Sequence, residues 1–307
     1  MVGSERQLRL GGPIFGASDT PESLVQEHLR LGLSAARCPA IQDAHQLEET
    51  LQALGGAGIV IAEVGAYCLN ILDTNESIRE RNVRLICERL AFADEVGALC
   101  CPMHGGSVET GNWGQPNPEN LGQAAFDRTV ETIQRILDTV RPKRTKLALE
   151  PEVWVLPDGP EIYAEIVRAV NRSSFGVHLD PVNMITSPRR YYANAQFLRE
   201  CFALLGAHIV GCHAKDTRLV RHATVRIDET YAGNGVLDYG VYLAELVRLP
   251  TDVPLMVEHV NEQELNQALD FLFAKAHEIS IPIRYGEKRD SWRRSHSTSL
   301  PLWQPGE

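Results

Sequence analysis

Short apolar runs and longer amphipathic segments alternate along this chain from residue 8 to residue 278. The short runs have the length and the apolar content typical of buried strands, and turn-forming residues bound them. Eight runs are predicted strands: residues 8–15, 35–39, 58–63, 98–104, 146–150, 175–180, 209–213 and 254–258. The pattern therefore indicates a repeated strand unit over most of the chain.

Each predicted strand is followed by a segment in which apolar residues recur at the spacing of one helix face. The first segment opens with Thr20 and Pro21, an N-cap residue followed by proline in the first turn. The eight predicted helices are residues 20–31, 43–54, 76–95, 120–140, 159–170, 191–205, 238–249 and 262–278. Strands and helices thus alternate.

Strands that alternate with helices pair in parallel through right-handed crossovers. Eight such units in about 280 residues fit a closed barrel. An open doubly wound sheet is the alternative, but it normally carries a glycine-rich phosphate turn after its first strand. Residues 10–13 read Leu-Gly-Gly-Pro and do not have that form. We therefore predict an α/β fold, a single (β/α)8 TIM barrel over residues 1–283, with a C-terminal extension at residues 284–307.

The charge and the composition of the chain limit the classes of binding partner that we expect. The formal net charge of −10 at pH 7 makes nucleic acid an unfavourable partner, because an acidic surface repels phosphate. The sequence has no run of about 18 apolar residues, which a membrane span needs, and residues 1–12 lack the apolar core of a secretion signal. The seven cysteines form no C-x-x-C pair, as is typical of a reducing compartment. We expect a cytoplasmic enzyme with neither a membrane nor a nucleic-acid partner.

Four successive predicted strands end in a residue that can bind a metal ion. These residues are Glu150, Asp180, His213 and Glu258. Because the strand ends of a barrel share one mouth, their side chains are expected to converge. Each has a plainer explanation when taken alone, such as a turn residue before Pro181 in the case of Asp180. Their recurrence at the same structural position indicates a site.

Three carboxylates and one imidazole make an oxygen-rich site that suits a hard divalent ion. Carboxylates crowded together repel one another, which raises their pKa values unless a cation neutralises them. A structural zinc, by contrast, favours thiolate ligands. We therefore predict one divalent metal as cofactor, Mn²⁺ before Mg²⁺, Co²⁺ or Zn²⁺.

Five segments resemble the xylose-isomerase-like TIM barrel superfamily, which includes sugar-phosphate isomerases and epimerases, ketose 3-epimerases, inosose dehydratases and endonuclease IV-type nucleases. They read LEPE at 149–152, HLDPVNM at 178–184, CHAKD at 212–216, GNGVLDY at 233–239 and VEH at 257–259. The resemblance implies that Glu150, Asp180, His213 and Glu258 hold a catalytic divalent metal. It also implies that Glu150 and Glu258 double as the catalytic, proton-transferring pair of the epimerase branch.

Two positions depart from the nuclease branch of that superfamily. Asn183 stands where its epimerases and nucleases carry a histidine, and Val64 stands where a similar nuclease segment opens with a metal-binding histidine. His104 matches a further nuclease ligand, but one residue cannot hold a second ion. An endonuclease IV-like nuclease is therefore the less favoured interpretation.

Seven further residues are predicted to contact the substrate: His104, Trp113, Glu152, Trp154, Asn183, Lys215 and Arg218. Strand alternation places Glu152 on the face of Glu150 if the extended backbone continues past the strand end. An alternative for Lys215 is a local ion pair with Asp216, and one for the two tryptophans is the capping of apolar surface.

Two histidines next to the ligands are expected to have supporting or structural roles. His178, two positions before Asp180, is predicted to support the metal site through hydrogen bonds. Alternation predicts that His259, next to Glu258, points away from the site into the layer between barrel and helices.

Together these residues predict a divalent-metal-dependent isomerase or epimerase that acts on a ketose or a related polyol or sugar, phosphorylated or not, by enediolate proton transfer. The alternative is a metal-dependent lyase or dehydratase, or a glycoside-cleaving enzyme, acting on keto-sugars, keto-glycosides or inososes. A third alternative is a non-catalytic barrel that binds a sugar or a partner. We expect a homo-oligomer, a dimer or a tetramer, with a partner subunit as the alternative assembly.

Overall fold

The computed structural model describes residues 6–16 and 18–286. In this part of the chain, eight parallel strands form a closed ring. They are β1 (Leu8–Gly11), β2 (Ala35–Arg37), β3 (Val60–Glu63), β4 (Cys100–His104), β5 (Lys146–Glu150), β6 (Phe175–Leu179), β7 (Ile209–Ala214) and β10 (Leu255–Val257). The ring closes where Leu10 pairs with Leu255 and Gly11 with Met256. The predicted (β/α)8 barrel is confirmed.

Nine α-helices among the described residues pack around the ring. They are α1 (Pro21–Arg30), α2 (Ala44–Gly56), α3 (Glu76–Val96), α4 (Gln123–Val140), α5 (Pro160–Val170), α6 (Pro188–Tyr192), α7 (Asn194–Leu205), α8 (Tyr239–Leu246) and α9 (Glu262–Glu278). The N-cap predicted at Thr20 is present, because its side chain accepts a hydrogen bond from the Ser23 backbone amide. One predicted helix, 191–205, is divided in the structure, since α6 ends before Ala193 and α7 begins after it.

The structure contains three short strands that the sequence analysis did not predict. An antiparallel hairpin, β8 (Asp216–Val220) and β9 (Arg226–Thr230), lies between β7 and α8. The last short strand, β11 (Ile283–Arg284), pairs in parallel with the start of β1. The predicted extension, residues 284–307, lies outside the described residues from position 287 onward.

The core has two apolar layers. The larger one lies between the strands and the helices, and a small cluster of Ala35, Ala62 and Met256 fills part of the barrel interior. Gly11 is required beside that cluster, because a Cβ atom there would lie 2.3 Å from the sulfur of Met256. The strand predicted at residues 8–15 ends at Gly11 in the structure. Pro13 follows two residues later and has no amide hydrogen to donate to a neighbouring strand.

None of the described helices combines the length and the apolar character that a bilayer crossing requires.

Candidate metal centre

The four predicted metal ligands meet at one mouth of the barrel. They are Glu150 at the end of β5, Asp180 directly after β6, His213 within β7 and Glu258 directly after β10. All are buried, and one ligand atom from each lies within 4.8 Å of the other three. The carboxyl ends of parallel barrel strands face the same side, which is why residues distant in the chain come together here.

One ring nitrogen of His213 faces all three carboxylates. Its Nδ1 lies 2.8 Å from Oε1 of Glu150, 2.9 Å from Oε1 of Glu258 and 3.9 Å from Oδ2 of Asp180. A neutral imidazole offers one lone pair, on the nitrogen that carries no proton. Nδ1 is therefore the atom placed to share a cation with the three acids.

Three buried oxygens in this cluster accept no well-formed hydrogen bond among the described residues, although the Lys215 ammonium lies close to two of them. They are Oε2 of Glu150, Oδ2 of Asp180 and Oε1 of Glu258. Buried polar atoms are normally satisfied, so carboxylate oxygens grouped in this way favour a ligand that accepts lone pairs. Carboxylate oxygens with one imidazole nitrogen are donors that a hard divalent cation takes. The residues present thus fit the metal that the sequence predicted.

The acidic ligands differ in how readily they ionise. Burial raises the pKa of Asp180 to about 6, although the nearby Lys215 ammonium opposes this. Burial also disfavours ionisation of Glu258, but contact with His213 and Lys215 outweighs it and holds the pKa of Glu258 below its usual value. A divalent cation at the cluster would lower the pKa values of both acids, since it stabilises the carboxylate form.

A further acid, Glu63, lies behind the ligands at the end of β3. Its Oε2 is 3.1 Å from Nε2 of His178 and 3.5 Å from Nε2 of His213. These three residues form a second group whose donor atoms lie close together. Arg37 already pairs with Glu63, at 2.5 Å between Nε and Oε1, so this group carries its own cation. The sequence offered a signal that was not used, because Glu63 ends a predicted strand just as the four ligands do.

Arg37, at the end of β2, connects Glu63 with a ligand. Its Nη2 donates to Oε2 of Glu258 at 3.2 Å. One oxygen of Glu258 is therefore held by the guanidinium, and the other faces His213. Burial opposes the charge of Arg37, but Glu63, Tyr67 and Glu258 together raise its pKa above the usual value.

His178 contacts the site through Glu150 and Glu63. Its Nδ1 lies 3.7 Å from Oε2 of Glu150, and its Nε2 lies next to Glu63. The ring is fully buried. The structure therefore places it behind the ligands, where a supporting role was predicted.

Lys215 lies inside the site rather than in a pair with Asp216. Its ammonium is 2.7 Å from Oδ2 of Asp180 and 2.9 Å from Oε1 of Glu258. Asp216 instead accepts hydrogen bonds from the backbone amides of Gly233 and Leu237. The local ion pair considered from the sequence is thus wrong, because Asp216 organises the loop that follows the hairpin.

Asn183 is used within the protein. Its Nδ2 donates to the carbonyl of Pro151 at 3.0 Å, and its Oδ1 accepts from Lys215 at 3.2 Å. The side chain therefore fixes the loops after β5 and β6 in relation to the lysine.

His104, Trp113 and Glu152 line the approach to the ligands. The rings of His104 and Trp113 stack at 4.1 Å and 10°. His104 Nε2 lies 3.9 Å from Glu150 and 3.8 Å from Glu152. Burial lowers the pKa of His104 to about 4, so the imidazole is neutral at physiological pH.

The loop that carries Trp113 is tied down by two asparagines. Asn70 donates to the backbone carbonyls of Ser107, Glu109 and Asn112. Asn120 accepts from the amide of Val108 and donates to the carbonyls of Gln115 and Trp154. Backbone groups of the loop are thereby satisfied without regular structure, and the tryptophan is held against His104.

Two predicted substrate contacts lie farther out. Arg218 is exposed on the hairpin, opposite Asp228, and Trp154 is 55% exposed.

The expected orientation of His259 is wrong. Its Nδ1 lies 2.9 Å from Glu229, and its Nε2 lies 3.9 Å from Glu258. The backbone has a φ of 52° at this residue, and this left-handed conformation breaks the strand alternation on which the expectation rested.

Known proteins with similar sequence or structure fall into several enzyme classes. The chain is 25% identical over 162 residues to the probable endonuclease 4 of Aquifex aeolicus, a match over 50% of this chain and 54% of that protein. It therefore spans about half the length of this curated relative.

Three solved structures share the fold. Endonuclease IV from Thermus thermophilus has a TM-score of 0.67 at 16% identity, over 88% of this chain and 99% of that one. The probable 3-DHS dehydratase AsbF from Bacillus anthracis has a TM-score of 0.66 at 17% identity, over 87% and 98%. D-psicose 3-epimerase from Clostridium cellulolyticum has a TM-score of 0.62 at 13% identity, over 86% and 94%. At these identities the likeness shows a common fold.

The family follows from a match over most of the barrel. Residues 30–275 match the family described as xylose isomerase-like TIM barrel. The closed parallel ring and the resemblance of the strand-end motifs agree with it. The chain belongs to the xylose isomerase-like TIM barrel family.

Proposed function

We propose that this protein is a divalent-metal-dependent isomerase or epimerase that moves a proton on a ketose or a related polyol or sugar. The main support for this proposal is that the carboxylates of Glu150 and Glu258 approach the same atom. Both carboxylates lie within 3 Å of Nδ1 of His213, although they come from β5 and β10, which two other strands separate. Two acids thus flank one cation-binding point.

A divalent ion, when bound, supplies a Lewis acid that stabilises negative charge on a substrate oxygen as a neighbouring carbon loses its proton. Four side chains would hold it: Glu150, Asp180, His213 and Glu258. Mn²⁺ is our first proposal for the ion, since three of the four ligands are carboxylates.

Glu150 and Glu258 are proposed to move the proton. Oε2 of Glu150 and Oε1 of Glu258 are buried and accept no well-formed hydrogen bond from the described residues, so each keeps lone pairs that can take a proton, and the Lys215 ammonium lies 2.9 Å from the oxygen of Glu258. One carboxylate removes the proton from one face of the substrate carbon, and the other returns a proton to the opposite face. Return to the same carbon inverts its configuration, and return to the neighbouring carbon isomerises the sugar.

The stacked pair of His104 and Trp113 is proposed to bind the sugar. An indole face accepts the apolar C–H surface of a sugar ring, and the neutral imidazole next to it both donates and accepts hydrogen bonds. Glu152, next to His104, adds an acceptor for a hydroxyl group. Its pKa is raised to about 7, chiefly by burial.

Dehydration is the second candidate, because it begins with the same loss of a proton next to a carbonyl. The structural likeness to a probable 3-DHS dehydratase supports keeping it. A leaving hydroxyl on the neighbouring carbon is then expelled instead of a proton being returned. The product distinguishes the two reactions, since only elimination removes water.

The nuclease activity of the Aquifex relative is not part of the proposal. Val64 and Asn183 stand where the nuclease resemblance calls for histidine, and the chain carries a net charge of −10. Neither side chain offers the imidazole that a further zinc needs, and an acidic protein attracts phosphate backbones poorly.

The test is a deuterium-exchange screen. Protein loaded with Mn²⁺ is incubated in D₂O with ketoses, keto-glycosides and inososes, and the products are identified by NMR and mass spectrometry. We expect deuterium at a carbon next to a carbonyl, with a changed configuration or a shifted carbonyl. Metal-free protein and the Glu150→Gln variant serve as controls. Full metal loading with no exchange and no product on any of these substrates would overturn the proposal.

A further inference from the structure

The ammonium of Lys215 lies in a cage of four oxygens. Nζ is 2.7 Å from Oδ2 of Asp180, 2.9 Å from Oε1 of Glu258, 3.1 Å from Oε2 of Glu229 and 3.2 Å from Oδ1 of Asn183. The side chain is 2% exposed. Three carboxylates and one amide oxygen around a buried point resemble the oxygen coordination of a metal ion more than an ordinary surface ion pair.

This cage adjoins the metal site and shares two ligands with it. Oδ2 of Asp180 and Oε1 of Glu258 contact the ammonium, and both residues also belong to the metal-ligating cluster. Among the described acids of that cluster, Glu150 keeps its oxygens more than 4.0 Å from Nζ. The ammonium therefore lies on the Asp180 side, away from Glu150. Two bridging carboxylates between neighbouring cations are the arrangement of a two-metal site, whose ions lie about 3.5–4 Å apart.

The third carboxylate, that of Glu229, reaches the cage from the hairpin that the sequence did not predict. Glu229 is in β9, opposite Thr217, and its other oxygen is 2.9 Å from Nδ1 of His259. The antiparallel pairing folds the chain back over the residues that directly follow Lys215. The hairpin thus completes the oxygen shell of the lysine.

We propose that Lys215 is a permanent second cation of this centre, which fills the position where a second divalent ion would bridge Asp180 and Glu258, and so limits the centre to one metal. The inference rests on the metal centre of the proposed function, but not on the sugar reaction. It also argues against phosphodiester substrates, because a one-metal centre lacks the paired ions with which two-metal enzymes bind a phosphodiester.

The experiment counts metal ions in three proteins: wild type, Lys215→Met and the control Lys275→Met. Methionine keeps the approximate length of the lysine side chain and removes the charge, and Lys275 pairs with Glu278 on the surface of α9. Each protein is saturated with Mn²⁺, desalted and measured by elemental analysis and by titration calorimetry. Electron paramagnetic resonance then separates isolated Mn²⁺ from exchange-coupled pairs.

We expect wild type and Lys275→Met to bind one ion per chain with an isolated Mn²⁺ signal. Lys215→Met should bind two ions with an exchange-coupled signal, and adding Glu229→Gln should return it to one. Two ions in the wild type, or one ion in a folded Lys215→Met protein, would overturn the inference while leaving the proposed function intact. No ion in the wild type would instead remove the metal centre itself. If Lys215→Met does not fold, Lys215→Gln is counted in the same way.

Discussion

Nε2 of His213 lies 3.5 Å from Oε2 of Glu63, while Nδ1 of the same ring faces the ligand carboxylates. When the ligand carboxylates hold a cation, Nδ1 must be unprotonated to share it, and a carboxylate beside Nε2 then favours the tautomer with its proton on Nε2. Glu63 therefore both orients the imidazole and selects the tautomer in which Nδ1 can bind a cation.

The substitution Glu63→Gln should weaken metal binding. It removes the negative charge that holds the Nε2 proton of His213, and loss of such a partner costs about 10–100-fold in metal affinity. Calorimetric titration with Mn²⁺ measures the effect. Glu80→Gln is the matched control, because Glu80 pairs with Arg135 on the surface. Equal affinity in wild type and Glu63→Gln would show that Glu63 does not act on the imidazole.

Replacing either proposed proton carrier should stop the chemistry but spare the fold. At saturating Mn²⁺, Glu150→Gln and Glu258→Gln should each lower kcat by about 10²–10⁴-fold, the contribution of a positioned acid or base. Turnover on the substrate found in the exchange screen measures this, with melting temperature as the check on folding. The exposed Glu161 on α5 provides the control substitution, Glu161→Gln. Wild-type turnover in either ligand variant would remove that residue from the mechanism.

The two tryptophans of the mouth should differ in importance. Trp113 stacks on His104, whereas Trp154 is 55% exposed. Trp113→Ala should raise KM several-fold, in line with about 0.5–1.5 kcal/mol for one aromatic contact, and leave the metal content unchanged. Trp154→Ala should change KM less. Steady-state kinetics of both variants test the ranking, and a larger effect at Trp154 would contradict it.

Stability should fall at mildly acidic pH partly because of His28, far from the site in α1. The ring is buried, its Nδ1 bonds the carbonyl of Leu24, and its Nε2 has no partner among the described residues. Burial lowers the pKa of His28 below 6.5. As the pH drops below about 6.5, His28 is therefore protonated in the unfolded chain but not in the folded chain. The free energy of unfolding decreases as a result.

Urea unfolding at about pH 8 and about pH 5 of wild type and His28→Leu isolates this effect. The decrease should be smaller in the variant, which has no ring to protonate. An equal decrease in both proteins would show that His28 keeps an ordinary pKa in the folded state.

The barrel strands and the four proposed metal ligands could be predicted from the sequence. All eight barrel strands appear where apolar runs predicted them, because a buried parallel strand needs an apolar residue at almost every position. The convergence of Glu150, Asp180, His213 and Glu258 followed from one geometric rule, that parallel strand ends share a side of the barrel.

Features that depend on contacts between distant residues were not predictable. The hairpin strands β8 and β9 read DTRLV and RIDET, and these short, mostly polar segments carry too weak an apolar pattern to be recognised as strands between β7 and α8. The roles of Arg37 and Glu63 depend on the ion pair between them and on the ion pair of Arg37 with Glu258, and no local sequence pattern indicates these contacts. His259 faces the site because its backbone is left-handed, which no alternation rule anticipates.

One divalent ion is proposed to bind between Glu150, Asp180, His213 and Glu258. Anomalous diffraction from crystals grown with Mn²⁺ tests it most directly. We expect one peak per chain at the barrel mouth, within coordination distance of Nδ1 of His213 and of an oxygen of each acid. No peak at the mouth, or a peak instead among Glu63, His178 and His213, would contradict it.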